Sequence, residues 1–100
     1  MITSLQNPRV KLVRALQDRA RTRRKEGKIV LEGARLVADA LAQGHRPEFL
    51  FYTPESEALL PENTTGEIVS PELMRHMSDT QQPQGIIAVF PLPEDRKSVV

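Results

Sequence analysis

The stretch Lys28 to Gly44, KIVLEGARLVADALAQG, constrains the fold more than any other, because it reads as one strand entering a tight turn and then one amphipathic helix. Ile29, Val30 and Leu31 form a short continuous apolar run, the pattern of a strand covered on both faces. Glu32-Gly33 turns the chain. Leu36, Val37, Ala40 and Leu41 then recur at helical spacing on one face, while Arg35, Asp39 and Gln43 point elsewhere. Gly44 stands where a left-handed C-terminal cap closes such a helix. The unit is βα, and the remainder of the chain can be placed around it.

Upstream, Asn7-Pro8 is a helix start: Asn caps free N–H groups, and Pro at the first helical position sacrifices no hydrogen bond. Val10, Val13 and Leu16, with Leu12 alongside, give that helix a packed stripe, and Arg9, Lys11 and Arg14 give it a cationic side. Beyond Ala20 the pattern fails. Arg21-Thr22-Arg23-Arg24-Lys25 has no apolar partner to bury, so it is either a protruding helical end or a loop, expected to be mobile over Thr22 to Lys25, and Gly27 closes it.

Downstream, Phe49 to Tyr52 lies between Pro47 and Pro54 and is a second strand. Thr53-Pro54 opens a brief helix through Ala58, Leu59 and Leu60, and Glu67-Ile68-Val69 is a third strand. Ser70-Pro71-Glu72 starts a helix burying Leu73, Met74 and Met77. A polar loop from Asp79 to Gln84 leads to the fourth and most apolar strand, Gly85 to Phe90. The order is a helix followed by βαβαβαβ, which by alternation implies an α/β fold with a small four-stranded, mainly parallel or mixed sheet flanked by helices, an antiparallel edge pair remaining open. The domain is expected to occupy residues 1–91, with the basic arm at about 18–28. The Pro- and charge-rich residues 92–100 read as the start of a linker.

Composition narrows the function. A chain of 100 residues makes one domain, too short for a core plus a full cofactor-binding domain. With no cysteine and two isolated histidines, His45 and His76, disulfides and thiolate metal sites are excluded and a zinc site is not expected. No apolar run approaches the roughly 20 residues of a membrane span, and no signal peptide is visible. A reducing, cytoplasmic location is the expectation. The net charge of +1 hides an asymmetry: residues 1–28 hold nine bases against two acids, or +7, and the other 72 hold five against eleven, or −6. Arg9, Lys11, Arg14, Arg19, Arg21, Arg23, Arg24, Lys25 and Lys28 therefore make a polyanion-facing segment. Arg dominates it, and Arg grips phosphates with a planar fork. The bland reading is a solvated helical face, but such faces mix signs and this one hardly does.

Catalytic constellations are absent: there is no G-x-S-x-G, P-loop or G-x-G-x-x-G, and the five glycines fall singly at element ends. Neither histidine has a Ser or Asp in a meaningful relation to it. Glu32, at a strand's carboxyl end, either serves chemistry or binds the N–H groups of the next helix turn, the structural role being favoured. With four aromatics, three of them in Phe49 to Tyr52, a base-stacking platform is poorly supported.

The succession ITSLQNPRVKLVRAL, KEGKIVLEGARLVADAL and MSDTQQPQGIIAVF resembles the amino-terminal substrate-binding domain of the SpoU (TrmH-type) RNA 2′-O-ribose methyltransferases. The resemblance rests on Ser4 with Asn7-Pro8 and Lys11, on Leu31-Glu32-Gly33 before an apolar helix, and on the Ser78 to Gly85 loop. It implies a domain similar to the kink-turn-binding ribosomal proteins that recognises structured rRNA or tRNA, with neither DNA nor a membrane as partner. It also implies a separate knotted catalytic domain that binds S-adenosylmethionine, forms a homodimer and methylates a ribose hydroxyl. None of that domain's motifs is present, so no catalytic or cofactor residue carries over, and these residues are expected to be a non-catalytic, monomeric part of a longer enzyme. A freestanding ribosomal-type RNA-binding protein, or an arm that docks an acidic protein, would share the same basic segment.

Overall fold

The computed structural model describes residues 1–81 and 83–92. Helix α1 (Pro8–Asp18) begins where Asn7 caps it, its Oδ1 accepting from the N–H groups of Arg9 at 2.9 Å and Val10 at 3.3 Å. Its buried side is Val10, Val13 and Leu16, the stripe that the spacing predicts. A short α2 (Ala20–Glu26) follows, then strand β1 (Lys28–Glu32), α3 (Ala34–Ala42) and β2 (Phe49–Tyr52). A 3₁₀ turn (Pro54–Leu59), β3 (Glu67–Ile68), α4 (Pro71–Met77) and β4 (Ile86–Pro91) complete the chain. Helix α3 ends in a Schellman motif: Gly44 at φ 90° donates to Leu41 O, and His45 N–H reaches back to Ala40 O at 3.1 Å.

Of the two expected arrangements, mainly parallel or mixed, the sheet is the mixed one. Its order is β1-β4-β2-β3, with β4 antiparallel to both β1 and β2, and β2 parallel to β3. The reason lies after β3. Helix α4 delivers the chain to Ser78 and Asp79 beside Glu32, at the carboxyl end of β1, instead of carrying it back along the sheet. The last strand must therefore start at that end and run against its neighbours. The amino terminus extends the β3 edge, where Ile2 bridges Val69, so Val69 pairs just outside the third strand.

Strand β4 is inserted last between β1 and β2, and it is the strand covered on both faces. Its Ile87 and Val89 join Phe51, Val69 and the buried sides of α1 and α4. Ile86, Ala88 and Phe90 point the other way, toward Leu50 and Val37 of α3. Strand β1, expected to be fully covered, is an edge strand and only half-buried along its whole length. Leu36, placed by its spacing on the buried face of α3, is 52% exposed, because Val37, Ala34, Ala40 and Leu41 cover the sheet there without it. Met74 and Met77 are core residues, as expected. Of the expected linker, Leu92 donates its N–H to Gly27 O at 2.7 Å, and residues 93–100 lie outside the described residues.

Candidate nucleic-acid interface

The basic segment is built by a break in a helix. Once Leu16 has been buried, nothing further along α1 reaches the core, and Arg19 is extended at φ −138° and ψ 120°. The chain restarts as α2, which buries no residue and is closed by Gly27 in the left-handed conformation at φ 67°, donating to Arg23 O at 2.8 Å. The arm is thus helical, one of the two alternatives left open for Arg21 to Lys25, and it forms a second helix rather than an extension of α1. Arg23, Arg24 and Lys25 fill its last turn, where cations meet the negative end of the helix dipole.

Arg21, Arg24 and Lys25 are exposed and stand at i, i+3 and i+4, so they share one side of α2. The opposite side, with Thr22 and Arg23 half-buried, faces the body of the domain. Arg23 is committed there: its Nη1 donates to Leu16 O at 2.6 Å. That carbonyl is one of the last four of α1 and loses its helical partner when the helix stops at Asp18. Lys11 and Arg14, three residues apart on α1, are exposed, as is Arg19 at the corner. Six of the nine expected contact residues therefore present free cationic ends: Lys11, Arg14, Arg19, Arg21, Arg24 and Lys25. Among the described residues, neither of the two ion pairs takes up any of them.

The structure places the other three elsewhere. Arg9 is rotated about 160° around α1 from Lys11; it pairs with Glu67 and lies over the Phe49 ring, 5.4 Å from its centroid. Lys28 spans β4 to reach Glu48 Oε1 at 3.0 Å. Arg23 serves α1, as above. Charge counting cannot separate these residues from their neighbours, because their partners are 7 to 58 positions away in sequence.

Glu32 takes the structural role, with partners other than those expected. Its carboxylate accepts from Gln17 Nε2, Ser78 Oγ and Asp79 N–H, each at 2.6 Å, and not from the first turn of α3. Gln17 also donates to Met77 O at 3.2 Å. One carboxylate thus rivets α1, β1 and the end of α4. His45 and His76 are exposed on separate elements, and among the described residues no three His, Cys, Asp or Glu side chains gather as a metal site.

A Cβ on Gly33 would lie 2.6 Å from Gln84 Oε1, and one on Gly85 would lie 2.7 Å from Thr53 Oγ1. Both glycines are therefore points of close packing within the domain.

The class that this architecture defines is a small mixed α/β domain with one cationic helical corner. Residues 7–88 match the family described as the MRM3-like substrate binding domain, and the chain belongs to that family. It is 39% identical over 77 residues to the zebrafish (Danio rerio) mitochondrial rRNA methyltransferase 3A, covering 72% of this chain and 18% of that protein. A solved RNA 2′-O ribose methyltransferase superposes with a TM-score of 0.77 at 26% identity, over 99% of this chain and 40% of that one. A SpoU methyltransferase of Streptomyces viridochromogenes, solved with AdoMet, gives 0.71 at 25% identity, over 91% and 35%. The chain spans less than half the length of each of these proteins, and the SpoU resemblance is borne out. Among the described residues no helix is long and apolar enough to cross a membrane.

Proposed function

We propose that this domain recognises structured rRNA or tRNA for a longer S-adenosylmethionine-dependent 2′-O-ribose methyltransferase, and that it does so through the exposed bases of α1 and α2. One observation carries the reading: the break at Arg19 leaves Arg21, Arg24 and Lys25 together on an exposed side of α2, with no acid paired to them among the described residues. The relatives' printed functions agree in class, one acting on rRNA and another on an RNA ribose. In this reading residues 1–91 form the recognition domain and 92–100 begin the link to the catalytic part. That part binds the cofactor and makes the homodimer, the domain alone is monomeric, and the enzyme works in the cytoplasm.

Phosphate binding by this face makes affinity depend on salt. If four to six phosphates are neutralised, log affinity against log salt should have a slope of about −4 to −5. The variant Arg21→Ala/Arg24→Ala/Lys25→Ala should lower that slope by about two to three units. Arg23 is left intact, so that a change in slope reports phosphate contacts and not the fold. A salt titration on a folded rRNA or tRNA fragment tests this. An unchanged slope and affinity in the variant would move the interface elsewhere and leave α2 as a solvated or protein-docking helix.

A further inference from the structure

We infer that the α1–α2 face takes double-helical RNA, gripping phosphates of both strands and leaving the bases unread; the inference rests on the reading of this face as the RNA interface. Recognition of unpaired bases uses stacking surfaces and amide or hydroxyl groups at base edges. Neither helix offers them. Every aromatic side chain is in the sheet: Phe51 and Phe90 are buried, Phe49 and Tyr52 half-buried, and the Phe49 ring is already met by Arg9. Gln17 is the one amide side chain within α1 and α2, and its nitrogen is committed to Glu32 and to Met77 O. The one hydroxyl, on Thr22, lies on the docked side of α2.

Most of the exposed charge is cationic, with Asp18 and Glu26 as the exceptions, and it falls in two clusters either side of the Arg19 corner, Lys11 with Arg14 on α1 and Arg21 with Arg24 and Lys25 on α2. Asp18, one turn beyond Arg14 and exposed, bounds the first cluster and keeps the two apart. Each cluster is a short row at helical spacing, suited to successive phosphates of one strand. Two such rows set either side of a corner call for phosphates on two strands, which a duplex holds ready and a flexible single strand must be ordered to supply. Both helices are closed before any ligand arrives, α1 by Asn7 and Arg23 and α2 by Gly27, so the array is preformed.

The test is a competition on the 100-residue chain among a blunt RNA duplex, a scrambled duplex of equal length, an unstructured oligouridine and a DNA duplex, repeated with Arg21→Ala/Arg24→Ala/Lys25→Ala. Both RNA duplexes should bind alike and at least about fivefold tighter than oligouridine, with the DNA duplex weaker and the preference lost in the variant. Oligouridine or DNA binding as tightly as duplex RNA, with both weakened in the variant, would overturn the duplex inference while leaving the interface where it is placed. A variant that binds every probe like the wild type would sink the interface itself.

Discussion

Arg23→Ala should loosen α2 without unfolding the domain. Helix α2 has seven residues and buries none of them, and a helix so short is marginal in water by itself. Its polar ties include the Gly27 junction, where Gly27 donates to Arg23 O and accepts from Leu92 N–H, and the Arg23 bond to Leu16 O at 2.6 Å. A hydrogen bond from a charged donor contributes about 1.5–3 kcal/mol, and half-exposure of Arg23 brings this toward the lower end. About 1.4 kcal/mol is a tenfold change in an equilibrium. Amide exchange in α2 should therefore quicken about tenfold in the variant, while the amides of β4 keep their wild-type rates. Arg23→Lys retains the charge without the planar fork, so it should lie between the two. On RNA it should keep the salt slope and lose a few-fold in affinity, since the latch and not a phosphate contact is weakened. Exchange in α2 that is unchanged by Arg23→Ala would refute the argument, as would equal acceleration of β4.

Glu32→Ala removes the shared acceptor of Gln17, Ser78 and Asp79 and should cost about 2–3 kcal/mol, read as a shift of the urea midpoint at constant m-value. A cost below about 0.5 kcal/mol would mean that water replaces the rivet. Calorimetry of these 100 residues with millimolar S-adenosylmethionine should show no saturable heat, because the five glycines fall singly at element ends and form no clustered cradle; one-site saturation would contradict that.

Most of the local structure was legible because it depends on neighbours in sequence. Asn7-Pro8 capping α1, Ser70 accepting from Leu73 N–H at 3.1 Å, and Gly44 ending α3 are each decided within a few residues. The Val10, Val13 and Leu16 stripe is likewise a consequence of helical period alone. The family resemblance was legible for a related reason: it is carried by short runs such as Leu31-Glu32-Gly33, which sit at element junctions where few residue types serve. The sequence also located the cationic segment and its absence of aromatics.

Strand direction and order were not legible, since a strand's apolar content reports how well it is covered and not which way it runs. Ile29 to Leu31 and Ile86 to Phe90 look alike as apolar runs, yet the first is a half-buried edge and the second is the covered strand between β1 and β2. The same limit applies to the bases. Composition by itself determined that residues 1–28 carry a large positive charge, and it could treat all nine cations only as equivalent. Tertiary structure decided which of them are already paired, by bringing Glu67 to Arg9, Glu48 to Lys28 and the orphaned Leu16 carbonyl to Arg23. Charge is a property of the residue, whereas a partner for it exists only once distant segments have been folded within a few ångströms.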